Sequence, residues 1–276
     1  MGRFIFFDID GTLAHPGQAP SESTVKSIQT ARRNGHKVFI STGRTMDSIP
    51  TPIATIGFDG GIFSSGGIIA VDNTIVVQHF MDNAVVQKIL AVLHRHNMLY
   101  TLETPEGRFN SENAEDLLER IDFSGIGEEQ ITLTRNILLD PTARALSHYS
   151  GESIHKISYY SDEQSITPLL ASELQSTAKV VPFPDIPGVP LAMGEISDYA
   201  VNKGRALKDL CNYFGCQPSD CIAFGDSMND SEILTAAGLG IAMGNADEQL
   251  KAIAGKVCDR CENDGIAKAL QELGLI

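Results

Sequence analysis

The sequence predicts an α/β protein with a doubly wound parallel-sheet (Rossmann-like) core, a hairpin extension and an inserted α/β cap domain. Apolar strands alternate with amphipathic helices at both ends of the chain, and this alternation favours parallel strands joined by right-handed crossovers. The pattern changes near residue 83 and returns near residue 190. The expected division is therefore a core domain at 1–82, a cap domain at 83–189 and the second part of the core at 190–276.

The first part of the core begins with the apolar run RFIFF, which predicts a buried strand. In the following SESTVKSIQTARRNG, Ser21 or Ser23 can cap a helix that Gly35 can end. HKVFIST predicts a second strand, which completes a strand-helix-strand unit. GGIFSS predicts a third strand, and IIAV and TIVVQHF, on either side of Asp72 and Asn73, predict a hairpin.

In the middle of the chain, DNAVVQKILAVLHRHN has the apolar spacing of an amphipathic helix. HKISYYS and AKVVPFP predict strands that flank a helix near PLLASELQS. From about residue 190, PLAMGEIS predicts a strand of the core. NKGRALKDLCNYFG then predicts a helix closed by Gly215, DCIAFGDS a strand, DSEILTAAG a helix, LGIAMG a strand and GIAKALQELG the last helix.

Composition limits the classes of partner. The 276 residues are 42% hydrophobic, which suffices for sizeable cores in two domains. With 21 basic and 35 acidic residues, the net charge of -14 would repel phosphate backbones, so we expect neither nucleic acid nor an anionic membrane as a partner. No apolar run has the length of a membrane span and no signal peptide is evident, so we expect a cytoplasmic protein. The oligomeric state is unknown from the sequence.

The five cysteines all lie between residues 211 and 261. Cys258 and Cys261 form a CxxC, and Cys216 and Cys221 are separated by four residues, so a zinc or redox site is one interpretation. The spacing of Cys216 and Cys221 is loose for a zinc site, and neither pair lies in the glycine-containing turn of a zinc knuckle. Both observations favour the other interpretation, a set of reduced thiols of which several are buried.

Four polar motifs follow predicted strands or open the next helix. DIDGT follows the first strand, STGR the second and GDSMND the strand CIAF, and Lys203 begins the helix after GEIS. In an open parallel sheet, ligands bind outside the carboxyl ends of the strands, where the strand order reverses. We therefore expect these motifs to converge in one crevice.

The acidic residues of these motifs suggest a metal site. Asp8 and Asp10 are two apart, so in an extended chain their side chains point the same way, and each raises the pKa of the other unless a cation intervenes. Asp226, Asn229 and Asp230 add further oxygen ligands. Each acid alone could be a helix cap or turn former. Together they form the hard, oxygen-rich set that suits Mg²⁺.

The remaining motif residues suit an anion. Gly11 lets the backbone turn, and Thr12 offers a hydroxyl. Thr42 and Gly43 would supply a hydroxyl and an amide, although Thr is also a common helix cap. Lys203 would be a solvated surface lysine by default, but beside paired carboxylates and a phosphate it would neutralise both.

This combination of motifs resembles the haloacid dehalogenase superfamily, in its Cof-like branch (subclass IIB) of sugar-phosphatase-type proteins. The motifs that carry the resemblance are DIDGTL at 8–13, STGR at 41–44, NKGRAL at 202–207, GDSMND at 225–230 and AMGNA at 242–246. The middle module resembles the cap of that branch by position and size only.

One segment departs from the family pattern. Many relatives carry Ser-Asn-Gly-Ala after the third strand, whereas this chain has SSGG at 64–67, which removes any contact that the asparagine makes.

The resemblance implies a Mg²⁺-dependent phosphatase that hydrolyses small phosphorylated metabolites through an aspartyl-phosphate. Asp8 would be the nucleophile and Asp10 the general acid and base, with Thr42 and Lys203 completing the catalytic set. The implied metal ligands are Asp8, Asp10 through its backbone carbonyl, and Asp226, supported by Asn229 and Asp230. The implied substrate and phosphate contacts are Ile9, Gly11, Thr12, Gly43, Arg44 and Asn229.

Three other functions share parts of this pattern. A phosphomutase of the same superfamily uses the same two acids but returns the phosphoryl group to its substrate. A signalling receiver domain also phosphorylates an Asp, but it needs only about 120 residues and no inserted cap. A non-catalytic metabolite sensor could use the same fold, although here every catalytic position is filled.

Overall fold

The computed structural model describes residues 2–183 and 185–276. The chain forms two compact units. The first unit comprises Met1–His79 and Val201–Ile276, and the second comprises Phe80–Ala200.

Numbered along the chain, the strands are β1 Phe4–Phe7, β2 Lys37–Ser41, β3 Gly60–Phe63, β4 Ile68–Val71, β5 Thr74–Gln78, β6 Leu99–Thr104, β7 Gly107–Asn110, β8 Ala143–Ala145, β9 Lys156–Ser161, β10 Lys179–Pro182, β11 Ala192–Ser197, β12 Cys221–Gly225, β13 Leu239–Ala242 and β14 Lys256–Val257. The helices are α1 Glu22–Arg33, α2 Thr51–Ala54, α3 Asn83–Arg95, α4 Ala114–Arg120, α5 Glu128–Leu138, α6 Ile166–Leu174, α7 Lys203–Phe214, α8 Ser231–Ala236, α9 Glu248–Ile253 and α10 Gly265–Glu272. None of the helices in the described ranges has the length and hydrophobicity that crossing a bilayer requires.

The sheet of the first unit has the order β14-β13-β12-β1-β2-β3-β4-β5. Strand β1 pairs in parallel with β2 on one side and with β12 on the other, so the strand order reverses at β1. Strands β3, β4 and β5 pair antiparallel and form the hairpin extension. The doubly wound parallel core and the hairpin are thus confirmed.

Strand β1 is buried because both faces of the sheet are covered. Ile5, Phe6 and Phe7 have no exposed surface, as expected for a continuous apolar run in a parallel sheet. Phe7 stacks on Phe224 of β12 with ring centroids 5.1 Å apart, and Phe6 stacks on Phe39 of β2 at 5.2 Å. This aromatic packing fixes the strand whose end carries the first acidic motif.

Helix ends follow the predicted signals. Ser21, rather than Ser23, caps α1, because its side chain accepts a hydrogen bond from the amide of Thr24. Helix α7 begins at an Asn202 cap and ends at Gly215, whose φ of 67° lies in the left-handed region that glycine favours. The cap at Asn202 sets the position of the lysine that follows it.

The second unit has its own sheet, of order β10-β11-β9-β6-β7-β8. The prediction that PLAMGEIS belongs to the core is wrong. Strand β11 pairs antiparallel with β9 and with β10, so it lies within the inserted sheet. The structure therefore divides the chain after His79 and after Ala200, instead of at 82/83 and 189/190. An apolar strand pattern indicates a strand but not the sheet that the strand joins.

Helices α7 and α8 approach so closely at Gly204 that a side chain is excluded. A Cβ added at Gly204 would lie 2.4 Å from the carbonyl oxygen of Glu232. Helix propensity alone predicts that Gly204→Ala stabilises the protein by about 1 kcal/mol. We expect instead a loss of about 1–3 kcal/mol, because the helices must separate.

Urea unfolding of Gly204→Ala measures this difference, with Lys208→Ala at an exposed position of the same helix as the control. The control should change the free energy of unfolding by about 0.5 kcal/mol or less. A Gly204→Ala protein more stable than the parent would contradict the close approach.

Candidate active site

The first acidic motif turns sharply after β1. The amide of Asp8 still donates to the carbonyl of Phe224, as part of the sheet, at 3.1 Å. The carbonyl of Ile9 then accepts hydrogen bonds from the amides of Thr12, Leu13 and Ala14, so the chain reverses within one turn. The two acids therefore stand at the carboxyl end of β1, where the strand order reverses, as the sequence predicts.

Gly11 allows two motifs to meet. Its φ is 85°, and an added Cβ would lie 2.0 Å from Oδ2 of Asp226. Any side chain at this position would displace the Asp226 carboxylate. Gly11 therefore permits close contact between the loop after β1 and the loop after β12, and it serves the site through its backbone.

Lys203 lies at the centre of the acidic cluster. The side chain is fully buried, and Nζ donates to Oδ1 of Asp8 at 2.9 Å and to Oδ1 of Asp230 at 2.6 Å. Burial alone would lower the pKa of Lys203, but the charges of Asp230 and Asp8 raise it above its usual range. The lysine is therefore a permanent cation between two carboxylates, not the solvated surface lysine of the alternative interpretation.

Three acids meet beside this lysine. Carboxylate oxygens of Asp8, Asp226 and Asp230 all lie within 4.8 Å of one another. Burial, and next the charge of Asp230, raise the pKa of Asp8 to about 7, although Lys203 opposes the shift. Burial, and next the charge of Asp8, raise the pKa of Asp226 to about 9. The single positive charge of Lys203 thus does not balance the negative charges of the three acids.

The donor set fits a divalent cation. Oδ1 of Asp226 is buried and has no hydrogen-bond partner among the described residues. A buried oxygen of this kind beside two further carboxylates is what a hard cation such as Mg²⁺ would bind. Asp8 and Asp226 are therefore suited to act as ligands.

Both carboxylate oxygens of Asp230 are already engaged by donors of the site. It is fully buried, and Oδ1 accepts from Lys203 while Oδ2 accepts from the amides of Asp226 at 3.1 Å and Ser227 at 3.4 Å. Both oxygens therefore already have donors. This geometry favours Asp230 as the group that positions Lys203 and Asp226 over a direct ligand. Asn229 accepts from the hydroxyl of Ser227 at 2.8 Å.

Asp10 is paired with Arg44, a contact that the sequence pattern does not indicate. Nε of Arg44 lies 2.7 Å from Oδ2 of Asp10, and Nη2 lies 2.8 Å from Oδ1. This bidentate pair is about one-third exposed at both side chains. The two parallel contacts fix the orientation of both side chains. The Asp10 carboxyl is therefore not left free beside Asp8, as spacing alone suggests.

The hydroxyl and glycine residues after β2 line the same end of the sheet. Thr42 is buried, and its hydroxyl accepts from the amide of Arg44 at 3.1 Å. Thr12 is also buried, and its hydroxyl has no partner among the described residues. Gly43 lies between Thr42 and Arg44. The structure thus brings the predicted residues of DIDGT, STGR and GDSMND together with Lys203.

The departing SSGG segment supports the lysine. Ser64 and Ser65 adopt φ values of 48° and 56°, which are uncommon for residues other than glycine. A Cβ at Gly66 would lie 2.4 Å from the carbonyl oxygen of Asn202. The segment therefore packs directly against the residue that caps α7 ahead of Lys203.

Two supporting residues have no predicted role. Nδ2 of Asn245 donates to the carbonyl of Gly11 at 2.8 Å, and its Oδ1 accepts from the amide of Cys261 at 2.9 Å. The amide of Asp247 donates to the carbonyl of Asp226 at 3.0 Å. Asn245 belongs to the AMGNA motif. The motif therefore indicates a residue of this site, although the sequence alone does not show that Asn245 contacts Gly11.

Comparisons with known proteins find similarity along nearly the whole chain. A family model described as haloacid dehalogenase-like hydrolase matches residues 5–270. The chain is 27% identical over 288 residues to 5-amino-6-(5-phospho-D-ribitylamino)uracil phosphatase YitU of Bacillus subtilis (strain 168), covering 97% of this chain and 96% of the relative.

Solved structures agree in fold. BT1666 from Bacteroides thetaiotaomicron, studied among phosphatases of this superfamily, matches with a TM-score of 0.78 and 22% identity, over 100% of this chain and 96% of its own. The subclass IIB sugar phosphatase BT4131 matches with a TM-score of 0.79 and 22% identity, over 99% and 100%.

The acidic cluster predicts an unusual dependence of stability on pH. The folded-state pKa values of Asp8 and Asp226 lie above the ordinary value of 3.8, so the folded protein holds protons that the unfolded chain has released. In a chelator, the free energy of unfolding should therefore fall as the pH rises from about 5 to about 8.

Urea unfolding at both pH values, with chelator or with Mg²⁺, checks this expectation. Mg²⁺ should raise stability most at the higher pH, because it binds the ionised acids. A metal-free protein whose stability is level or rises over this interval would show that the acids are not destabilised by their surroundings.

Proposed function

The chain belongs to the haloacid dehalogenase-like hydrolase family as a phosphatase, and we propose that its substrates are small phosphorylated metabolites such as sugar phosphates. The observation that carries the proposal is the Lys203 ammonium between Asp8 and Asp230, with Asp226 beside them. Phosphoryl transfer requires positioning and the neutralisation of charge. This cluster places a nucleophilic carboxylate, that of Asp8, in direct contact with a fixed cation, the ammonium group of Lys203.

We propose that Asp8 attacks phosphorus. A bond would form between a carboxylate oxygen of Asp8 and the phosphoryl group while the bond to the leaving oxygen breaks. Water would then attack the aspartyl-phosphate, releasing inorganic phosphate and restoring Asp8. Lys203 holds Asp8 through the hydrogen bond at 2.9 Å, so the nucleophile is oriented before substrate arrives.

Mg²⁺ is the proposed cofactor, with Asp8, Asp226 and the backbone carbonyl of Asp10 as the residues that would hold it. When bound, it would supply positive charge to the phosphoryl oxygens and to the crowded acids. Asp230 would keep Asp226 in place through the backbone amide of that residue. The proposed donors to phosphate oxygens are the hydroxyl groups of Thr12 and Thr42 and the backbone amides of Ile9 and Gly43.

Asp10 is proposed as the general acid and base. The ion pair with Arg44 suits the second step, in which an ionised carboxylate takes a proton from water. The first step needs a protonated Asp10 that gives its proton to the leaving oxygen. Arg44 must then release Asp10, and the freed guanidinium can pair with an anionic group of the substrate.

We propose that the second unit selects among metabolites. Its sheet carries a buried charged group in which Nζ of Lys156 donates to Oε2 of Glu195 at 2.8 Å and lies 3.6 Å from Oε1 of Glu103. The other oxygen of Glu103 is buried without a hydrogen-bond partner among the described residues. A buried acceptor of this kind suits a hydroxyl donor, and sugar phosphates carry hydroxyl groups.

The two acids after β1 should give different variants. Asp8→Asn should abolish both turnover and covalent labelling, because no nucleophile remains. Asp10→Asn should still be phosphorylated by p-nitrophenyl phosphate, whose leaving group needs little protonation, and the adduct should persist. Mass spectrometry of the intact protein after a short incubation checks both outcomes.

Asp72→Asn is the matched control for these variants. Asp72 is exposed in the hairpin turn with a φ of 47°, a conformation that asparagine also adopts readily. This variant should keep full turnover. Equal trapping of the adduct in Asp8→Asn and Asp10→Asn would exclude Asp8 as the nucleophile.

Metal removal tests the cofactor. Excess EDTA should abolish the release of inorganic phosphate from sugar phosphates, and added Mg²⁺ should restore it, because the acids otherwise repel each other and the substrate. Full activity in EDTA would reject the metal. Assaying free phosphate also separates hydrolysis from a phosphomutase, which would return the phosphoryl group to the sugar and release little phosphate.

A further inference from the structure

Three of the five cysteines form a cluster that the phosphatase chemistry does not use. The thiols of Cys211, Cys216 and Cys221 all lie within 4.8 Å of one another. The sulfur atoms of Cys211 and Cys221 are 3.4 Å apart. The local fold brings them together, since Cys211 lies in the last turn of α7, Cys216 follows the Gly215 cap, and Cys221 begins β12.

The cluster is separate from the acidic site. Cys221 begins β12 and Gly225 ends it, so the thiols lie at the amino end of a strand whose carboxyl end leads into GDSMND. At about 3.3 Å per residue, the length of the strand places the two ends roughly 13 Å apart. A ligand of the thiols would therefore not touch the phosphate site.

We propose that Cys211, Cys216 and Cys221 bind a thiophilic metal ion of the Zn²⁺ class. Tetrahedral zinc with bonds to sulfur of about 2.3 Å requires sulfur atoms about 3.8 Å apart. The 3.4 Å separation of Cys211 and Cys221 is slightly below this value, and all three sulfur atoms lie within 4.8 Å of one another, so small rotations of the side chains would complete the site. The three ligands are all sulfur, which selects soft ions and rejects Mg²⁺.

Burial defines the shape of the site. Cys211 and Cys221 are almost completely buried, whereas Cys216 is partly exposed. Two ligands are thus held by the core, and the third faces the surface, from which the ion enters. A solvent molecule can supply the fourth ligand on that side. The fold has already ordered the ligands, which lowers the entropic cost of binding.

A disulfide between Cys211 and Cys221 explains the cluster less well. Reactive thiols have lowered pKa values, because the thiolate is the nucleophile. Here the hydrogen bond to Cys221, and next burial, raise the pKa of Cys211, and burial raises the pKa of Cys216 to about 12. A disulfide would also use only two of the three thiols, whereas one metal ion can bind all three.

Cadmium titration of the reduced full-length protein tests the proposal, because Cd²⁺ bound to thiolates has an ultraviolet charge-transfer band. The titration is run with Mg²⁺ present to occupy the acidic site. We expect saturation at one Cd²⁺ per chain and displacement by Zn²⁺. Cys216→Ser should weaken binding at least tenfold, since losing even an outer-shell partner of a metal commonly costs about 10–100-fold.

Cys261→Ser is the matched control, because Cys261 is also partly exposed but lies outside the cluster. It should bind Cd²⁺ as the parent protein does. No charge-transfer band, or a band that Cys261→Ser removes and Cys216→Ser leaves, would overturn the proposal. Mg²⁺-dependent phosphate release should be unchanged in Cys216→Ser, so the test is independent of the proposed function.

A second measurement needs no variant. Zn²⁺ should slow the reaction of Cys216 with an aromatic disulfide reagent at least tenfold in the parent protein, as followed by peptide mapping. Reaction of Cys216 at the same rate with and without Zn²⁺ would contradict metal binding at this cluster.

Discussion

The buried ammonium of Lys203 is the interaction on which the acidic site depends. Asp8, Asp226 and Asp230 come from two loops that are more than 200 residues apart in sequence, and their carboxylates would repel each other in a buried position. One lysine offsets one of the three negative charges, and the remaining two equal the charge of a divalent cation. With all three acids ionised, Lys203 alone therefore leaves the cluster negatively charged.

Several residues of the first unit fix the position of Lys203. Asn202 starts α7 one residue before it, Gly66 lets the SSGG segment pack against the cap, and Gly204 lets α8 approach behind it. Asp230 accepts from Lys203 with one oxygen and from backbone amides with the other. A buried ion pair contributes little net stability, but losing one partner would leave the other charge unpaired. These contacts therefore serve position more than stability.

Local sequence patterns predict the strands and the residues that end them. Strands β1, β2 and β12 are buried on both faces and therefore consist of continuous apolar runs, which are easy to recognise. Such patterns do not predict which sheet a strand joins, so the apolar pattern of β11 indicates a strand but places it in the wrong sheet. They also miss the pair between Asp10 and Arg44, because spacing along a strand does not fix the direction of a side chain in the turn beyond it. The cysteine cluster depends on the close approach of the end of α7 to the start of β12, which the spacing of Cys216 and Cys221 only hints at.

The pairing of β1 with β12 determines the order in which the chain can fold during synthesis. Phe4 lies opposite Cys221, so β1 lacks one of its neighbours until more than 200 residues have been made. Residues 80–200, by contrast, form a continuous unit whose contacts are complete as soon as that stretch has left the ribosome. Domains generally fold as units during translation. The edge of β1 that pairs with β12 therefore stays unpaired while the whole insertion is synthesised. During that time the nascent chain exposes an apolar strand edge and needs protection from aggregation.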